Sequence, residues 1–125
     1  MPWLPQGQFL GFLDQMDIFL DCPAFSGYTT AWAAIHRGLP VVTYEGEFLR
    51  QRLAAGLLRQ IEITDGIAMS RDEYVQIAIR WAQECRRTEL WAARREGIRR
   101  AAPKADGNRP AVRAFEQVLL KAVES

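Results

Sequence analysis

Cysteine is scarce in this chain of 125 residues. Only Cys22 and Cys85 occur, and they have neither the close pairing of a zinc or redox motif nor the density of a disulfide scaffold. Free thiols in a reducing compartment are the simpler reading, a single disulfide the other. Charge of one sign is lacking too. Sixteen Lys and Arg oppose fifteen Asp and Glu, for a net charge of +1, so composition argues neither for a nucleic-acid partner nor for an acidic one. No apolar run reaches the length of a membrane span, and the first residues carry no basic-then-apolar leader. No repeat of solenoid period is present. These absences leave a cytoplasmic globular protein. Residues 1–125 are read as a single domain, long enough to bury about two-thirds of the extended surface around one core.

What is present is organised around Asp17 to Thr43. Asp17-Ile18-Phe19-Leu20-Asp21 reads as a short buried parallel strand. Cys22 to Gly27, with a Pro, a Ser and a Gly, reads as a loop. Tyr28-Thr29-Thr30 opens a helix to about Arg37, which Gly38 stops before Pro40 and a second strand, Val41-Val42-Thr43. Strand, helix, strand in so few residues is a βαβ unit. The loop ahead of such a helix is where α/β folds bind anions, because unpaired amides and the positive end of the dipole point outward there. Gly27 permits close approach of a ligand, and Thr29 and Thr30 add two hydroxyls. An ordinary N-cap that binds nothing accounts for the same residues and is commoner.

Upstream, Met1 to Gly7 reads as irregular, and Phe9, Leu10, Phe12 and Leu13 as a short helix before Asp14. Downstream, Tyr44 to Glu47 is a turn. Phe48 to Gln60 reads as one amphipathic helix with Phe48, Leu49, Leu53, Ala54 and Leu57 on its apolar side. Ile61 and Ile63 alternate as a short strand would, and Ile67-Ala68 forms another. From about residue 70 to 125 the chain reads as a helical tail. Ser70 and Glu73 have capping-box spacing for a helix to about Gln83, with Tyr74, Ile77, Ala78 and Trp81 facing inward. An Arg-rich helix follows from Thr88 to about Ala101. Its interleaved Glu84, Glu89 and Glu96 make it a solvated face rather than an RNA-binding one, with Trp81 and Trp91 in the packing. After a connection from Ala102 to Asn108, Pro110 suits the start of a last helix with Ala111, Phe115, Val118, Leu119 and Ala122 on one face.

The ordered set DIFLD (Asp17 to Asp21), P-x-x-x-G-x-T-T (Pro23 to Thr30), G-L-P-V-V-T (Gly38 to Thr43), E-G-E-F-L-R-x-R-x-A (Glu45 to Ala54) and D-E-Y-V-x-I-A (Asp72 to Ala78) resembles the C-terminal part of the protein O-GlcNAc transferases. These form glycosyltransferase family 41, with SPINDLY-like bacterial relatives. The resemblance runs from about Phe9 to Trp81 and more loosely to the end. It implies an α/β fold: part of the Rossmann-like, donor-binding C-terminal domain of a GT-B enzyme, with a short parallel sheet flanked by helices. It implies that Gly27, Tyr28, Thr29 and Thr30 line the diphosphate pocket of a UDP-sugar such as UDP-GlcNAc, Tyr28 standing where animal enzymes carry a His. No metal or other cofactor is implied. The catalytic groups of the family lie upstream of anything here, so no catalytic residue is assigned. The strands, catalytic domain and tetratricopeptide repeats that precede this region in the family are expected in a partner segment or absent altogether.

Two departures matter. Ala33 stands where the family has an acidic residue that reaches the ribose; losing that contact weakens nucleotide binding by roughly 1–3 kcal/mol. His36, late in its helix, reads as a surface or packing residue. Arg52 matches a family Arg near the cleft, but a solvated basic edge is the preferred reading. Asp17, Asp21 and Asp65 form no acidic pair or metal cluster. Two functions follow: the UDP-sugar-binding segment of a transferase acting on protein Ser or Thr, or a non-catalytic remnant that binds another protein chain. Neither a membrane nor a nucleic acid is expected as a partner.

Overall fold

The computed structural model describes residues 5–106 and 109–124. Seven stretches make the mixed core: helix α1 (Gln6–Asp14), strand β1 (Phe19–Leu20), helix α2 (Tyr28–His36), strand β2 (Val41–Tyr44), helix α3 (Leu53–Gln60), strand β3 (Ile67–Ala68) and helix α4 (Arg71–Glu84). Helix α5 (Thr88–Ala101), a 3-10 turn at Ala102–Ala105 and helix α6 (Arg109–Glu124) follow. The sheet has the order β1-β2-β3 and is parallel throughout, with Phe19 opposite Val41 and Thr43 opposite Ile67. The α/β class with a short parallel sheet and a helical second half is therefore as the sequence indicates.

Successive strand residues face opposite sides of a sheet, and the core divides accordingly. Val41 and Ile67 join Ile35, Leu39, Leu57, Ile61 and Ile98 in one buried cluster; Val42 and Ala68 join Ile77, Trp81 and Trp91 in the other. Helices α2 and α3 thus cover one face and α4 the other, while α5 contributes Ile98 to the first and Trp91 to the second. Each such fully buried aliphatic side chain stabilises by about 1.5–3 kcal/mol. Trp81 and Trp91 meet edge to face, 5.9 Å between centroids. The Arg94 guanidinium lies 4.5 Å over the Trp81 ring and 5.4 Å from that of Trp91, and it pairs with Asp65.

Two glycines are dictated by the packing. Gly38 ends α2 at φ +71°, and a Cβ there falls 2.7 Å from the Arg95 carbonyl oxygen. Gly66, before β3, lies so close to β2 that a Cβ falls 2.0 Å from the Val41 carbonyl oxygen.

Several sequence expectations are corrected. The ladder of β1 is shorter than Asp17 to Asp21, and Leu20 is 55% exposed. This strand ends the sheet, so one side of it has no neighbouring strand among the described residues. Phe48 to Gln60 is not one helix: a 3-10 turn (Leu49–Gln51) precedes α3, and the buried face is Ala54, Ala55, Leu57 and Leu58, leaving Phe48 and Leu49 exposed. Ile61 and Ile63 form no strand. Ile61 caps α3, Glu62 turns the chain at φ +62°, and the Ile63 amide folds back to the Leu58 carbonyl at 3.0 Å. The N-terminal helix begins at Gln6, inside the segment read as irregular; residues 1–4 and Asn108 lie outside the described residues. Among the described residues no helix is long and apolar enough to cross a membrane.

Candidate functional site

The carboxyl ends of three parallel strands lie on one edge of the sheet, and the loop from Cys22 to Gly27 leaves β1 there. Its conformation is set from below. Asp21 donates its amide to the Val42 carbonyl at 2.9 Å, as β1 ends, and its side chain turns into the protein, only 2% of the residue remaining exposed. One carboxylate oxygen accepts from Ser26 Oγ at 2.6 Å and Thr43 Oγ1 at 2.8 Å; the other accepts the Gly27 amide at 2.9 Å. Ser26 Oγ accepts in turn from the Ala54 amide at 2.8 Å, and the Ser26 amide donates to the Arg50 carbonyl at 2.6 Å. From the other face of the sheet, Tyr74 donates its hydroxyl to the Asp21 carbonyl at 2.7 Å. A buried carboxylate without a cation is costly. Hydrogen bonds to a charged group contribute about 1.5–3 kcal/mol each, and three of them offset that penalty here. Burial pushes the Tyr74 phenol above its ordinary range, with Asp21 and Cys22 adding to the shift.

With its own amide taken, Gly27 becomes the N-cap of α2 at φ −90°, ψ 108°. The first intrahelical bond runs from the Ala31 amide to the Gly27 carbonyl, at 3.3 Å. The amides of Tyr28, Thr29 and Thr30 therefore precede the helical ladder and face outward, as first-turn amides do. No acidic side chain sits in this first turn. Tyr28 is 46% exposed, Thr29 is exposed and Thr30 half-buried. No hydrogen bond engages either threonine hydroxyl among the described residues. A Cβ built on Gly27 meets only Asp21 Oδ1 at 3.8 Å and Thr30 Cβ at 3.9 Å, so the fold leaves room at this position. The four residues singled out from sequence thus form one turn at the start of α2, whose first three amides precede the helical ladder. Such a turn can receive an anion. In the segments that follow the three strands, Phe25, Phe48, Leu49 and Met69 are apolar and exposed.

Other candidates fall elsewhere. Arg52 sits 3.6 Å from Glu45, which also takes a two-point contact from Arg59 at 3.0 and 2.9 Å. His36 stacks on Trp32 with centroids 4.1 Å apart and bonds the Trp32 carbonyl and Asp106. Ala33 is half-buried against the core cluster. Among the described residues, no group of three His, Cys, Asp or Glu side chains is placed to hold a metal, and both cysteines are free. Sequence reasoning missed the roles of Asp21, Ser26 and Thr43. The available signals were a carboxylate at a strand end with a Ser-Gly pair five residues on, and a Thr inside an otherwise aliphatic strand.

Comparison with known proteins places this geometry in context. The model of glycosyl transferase family 41 matches residues 11–105. The UDP-N-acetylglucosamine--peptide N-acetylglucosaminyltransferase of Caenorhabditis elegans is 34% identical over 62% of this chain. The probable UDP-N-acetylglucosamine--peptide N-acetylglucosaminyltransferase SPINDLY of Petunia hybrida is 33% identical over 55% of this chain. The chain spans 7% of the length of each. A mutant of the Thermobaculum terrenum O-GlcNAc transferase superposes with a TM-score of 0.74 at 28% identity, covering 84% of this chain and 20% of that one.

Proposed function

The chain belongs to glycosyl transferase family 41, and from that premise we propose that it is the UDP-sugar-binding segment of an O-GlcNAc-transferase-like enzyme, with residues 1–125 forming one part of the donor domain. The diphosphate rests on the turn of Gly27, Tyr28, Thr29 and Thr30. The outward amides and two hydroxyls donate to phosphate oxygens, and the α2 dipole, equivalent to about half a positive charge, faces the same anion. In glycosyl transfer a Ser or Thr hydroxyl of the acceptor protein attacks the anomeric carbon while the bond to UDP breaks. Negative charge then grows on the departing diphosphate, where fixed donors stabilise it without reorganisation. The catalytic base comes from segments outside this chain. A cytoplasmic setting fits, with both thiols reduced.

One observation carries this reading: the fold uses Asp21, Ser26 and Thr43 to build the loop, yet among the described residues no hydrogen bond takes up the hydroxyls of Thr29 and Thr30. A second reading, a non-catalytic module that binds another protein chain, draws on two features. Ala33 offers no acceptor for a ribose. The apolar residues Phe115, Val118 and Leu119 of α6 are 50–63% exposed.

The test is a UDP titration followed by amide shifts, repeated on the Thr29→Ala/Thr30→Ala double variant. Saturable shifts centred on Gly27 to Ala31, lost in the double variant, are expected. A folded chain that shows none at about millimolar UDP, a free energy of roughly −4 kcal/mol, refutes the donor reading and leaves the interaction module.

A further inference from the structure

We propose that Asp21 is the positioning residue of the donor loop; this rests on the UDP-sugar reading above. Asp21 does not touch the ligand. It is 2% exposed, and both carboxylate oxygens are engaged by Ser26, Thr43 and Gly27. Its negative charge would in any case repel a diphosphate. Its action is to consume the Gly27 amide. That single bond, at 2.9 Å, turns the peptide before α2 inward and so directs the next three amides outward as a set.

The same carboxylate fixes where this turn sits. Through Ser26 it is joined to the Ala54 amide of α3, and through Thr43 to β2. The main-chain carbonyl of Asp21 is held by Tyr74 of α4. The donor turn is therefore registered against both faces of the sheet through one residue, its side chain on the α3 side and its main-chain carbonyl on the α4 side. A loop held only by its own backbone would sample other directions for the amides of Tyr28 to Thr30. Binding an anion would then require ordering them first, with a corresponding loss of affinity.

The experiment is a UDP titration by amide shifts on the full chain and on Asp21→Ala and Asp21→Asn. Asparagine keeps an acceptor for the Gly27 amide; alanine does not. The expected result is a dissociation constant raised roughly tenfold or more in Asp21→Ala and brought back to within about threefold in Asp21→Asn. The Gly27 amide resonance should move in the first and return in the second, while those of Ile77 and Ile98 stay in place. Ile77→Val, which loosens the core away from the loop, should bind UDP as the unmodified chain does. If Asp21→Ala does not fold, Asp21→Ser takes its place, since its hydroxyl is polar but too short to reach the Gly27 amide as the carboxylate does, and the same weakening is expected. An unmodified chain that binds UDP, with an alanine or serine variant that is folded and binds equally well, overturns the positioning role alone. An unmodified chain that does not bind UDP overturns the donor reading, and this role with it.

Discussion

Replacing Gly27 by Ala should separate the needs of the fold from those of a ligand. Gly27 has a negative φ of −90°, so alanine can adopt its backbone without strain. The added methyl meets nothing nearer than 3.8 Å, an ordinary contact. Alanine is the poorer N-cap by about 0.5–1 kcal/mol, but it also restricts the unfolded chain, which returns about 0.4–1 kcal/mol. The net change in stability is within about 0.5 kcal/mol, or roughly 2 °C in melting temperature for a chain of this size. Binding should respond differently. On the proposed reading, a phosphate accepting the amides of α2 would pack against the Gly27 Cα, and a methyl there would push it outward. Hydrogen bonds lengthened and bent in this way weaken steeply; a loss of about 1.4 kcal/mol raises the dissociation constant tenfold. Thermal unfolding followed by circular dichroism, with UDP titration on the same samples, reads both. Equal UDP affinity in Gly27→Ala would show that no ligand approaches the backbone at this glycine. Loss of folding would show that the space around Gly27 is not as free as its distances imply.

Gly66→Ala provides the opposite case: its Cβ collides with the Val41 carbonyl and approaches Trp81 within 2.9 Å, so a loss of about 3 kcal/mol or more is expected in denaturant unfolding. Gly38→Ala combines a left-handed φ with a clash against Arg95, and should lower stability by about 1–2 kcal/mol in the same assay. Arg94→Ala removes a guanidinium from above two tryptophan rings and should cost about 1 kcal/mol, accompanied by a change in tryptophan fluorescence. Tyr74 has its folded-state pKa raised above the ordinary 10.0, chiefly by burial. Its contribution is fully present below that pH and is lost as the pH rises through the higher folded value. Urea unfolding above pH 10 should therefore show a steeper decline in stability than Tyr74→Phe, whose own loss below that pH reflects the missing bond to Asp21.

The sequence was legible wherever local chemistry and periodicity agreed. α2 is bounded by a Gly on each side, α4 opens on Ser70, whose Oγ accepts the Glu73 amide at 3.1 Å, and α5 occupies Thr88–Ala101 as its pattern indicates. Errors arose where tertiary contacts decide. Ile61 and Ile63 alternate like a strand, but Ile61 is buried as the last turn of α3 closes, and two residues of alternation cannot be told from a helix exit. Phe48 and Leu49 are apolar and yet exposed, because the chain passes through a 3-10 turn at Leu49–Gln51 and α3 begins only at Leu53. For the site, the turn of Gly27 to Thr30 was legible because helix starts have a local signature. The support beneath it was not. Asp21 finds its partners five, six and 22 residues away, and no spacing rule connects a strand end to a threonine on the next strand.

This division bears on whether the loop is a working site or a relic. Residues needed only for folding should be those with partners inside the protein, and Asp21, Ser26, Thr43 and Tyr74 all have them. Thr29 and Thr30 do not among the described residues, and threonine is a weak helix former, so alanine at either position would make the first turn of α2 more stable. Gly27 is likewise not required by its own φ or surroundings. The fold gives Gly27 a role as N-cap but gives none to the two threonine hydroxyls that follow Tyr28, whereas an anion bound as proposed would use them. Ala33 argues the other way for the ribose but leaves the diphosphate contacts untouched, since it lies beyond the first turn, half-buried against the core. On the proposed reading, diphosphate and nucleoside recognition are thus separable. UDP and inorganic pyrophosphate should bind with affinities closer than the roughly 1–3 kcal/mol that a satisfied ribose contact contributes. Competition of pyrophosphate against UDP in the same amide-shift titration measures that gap. A preference for UDP well beyond this range would mean that another acceptor takes the place of the missing carboxylate.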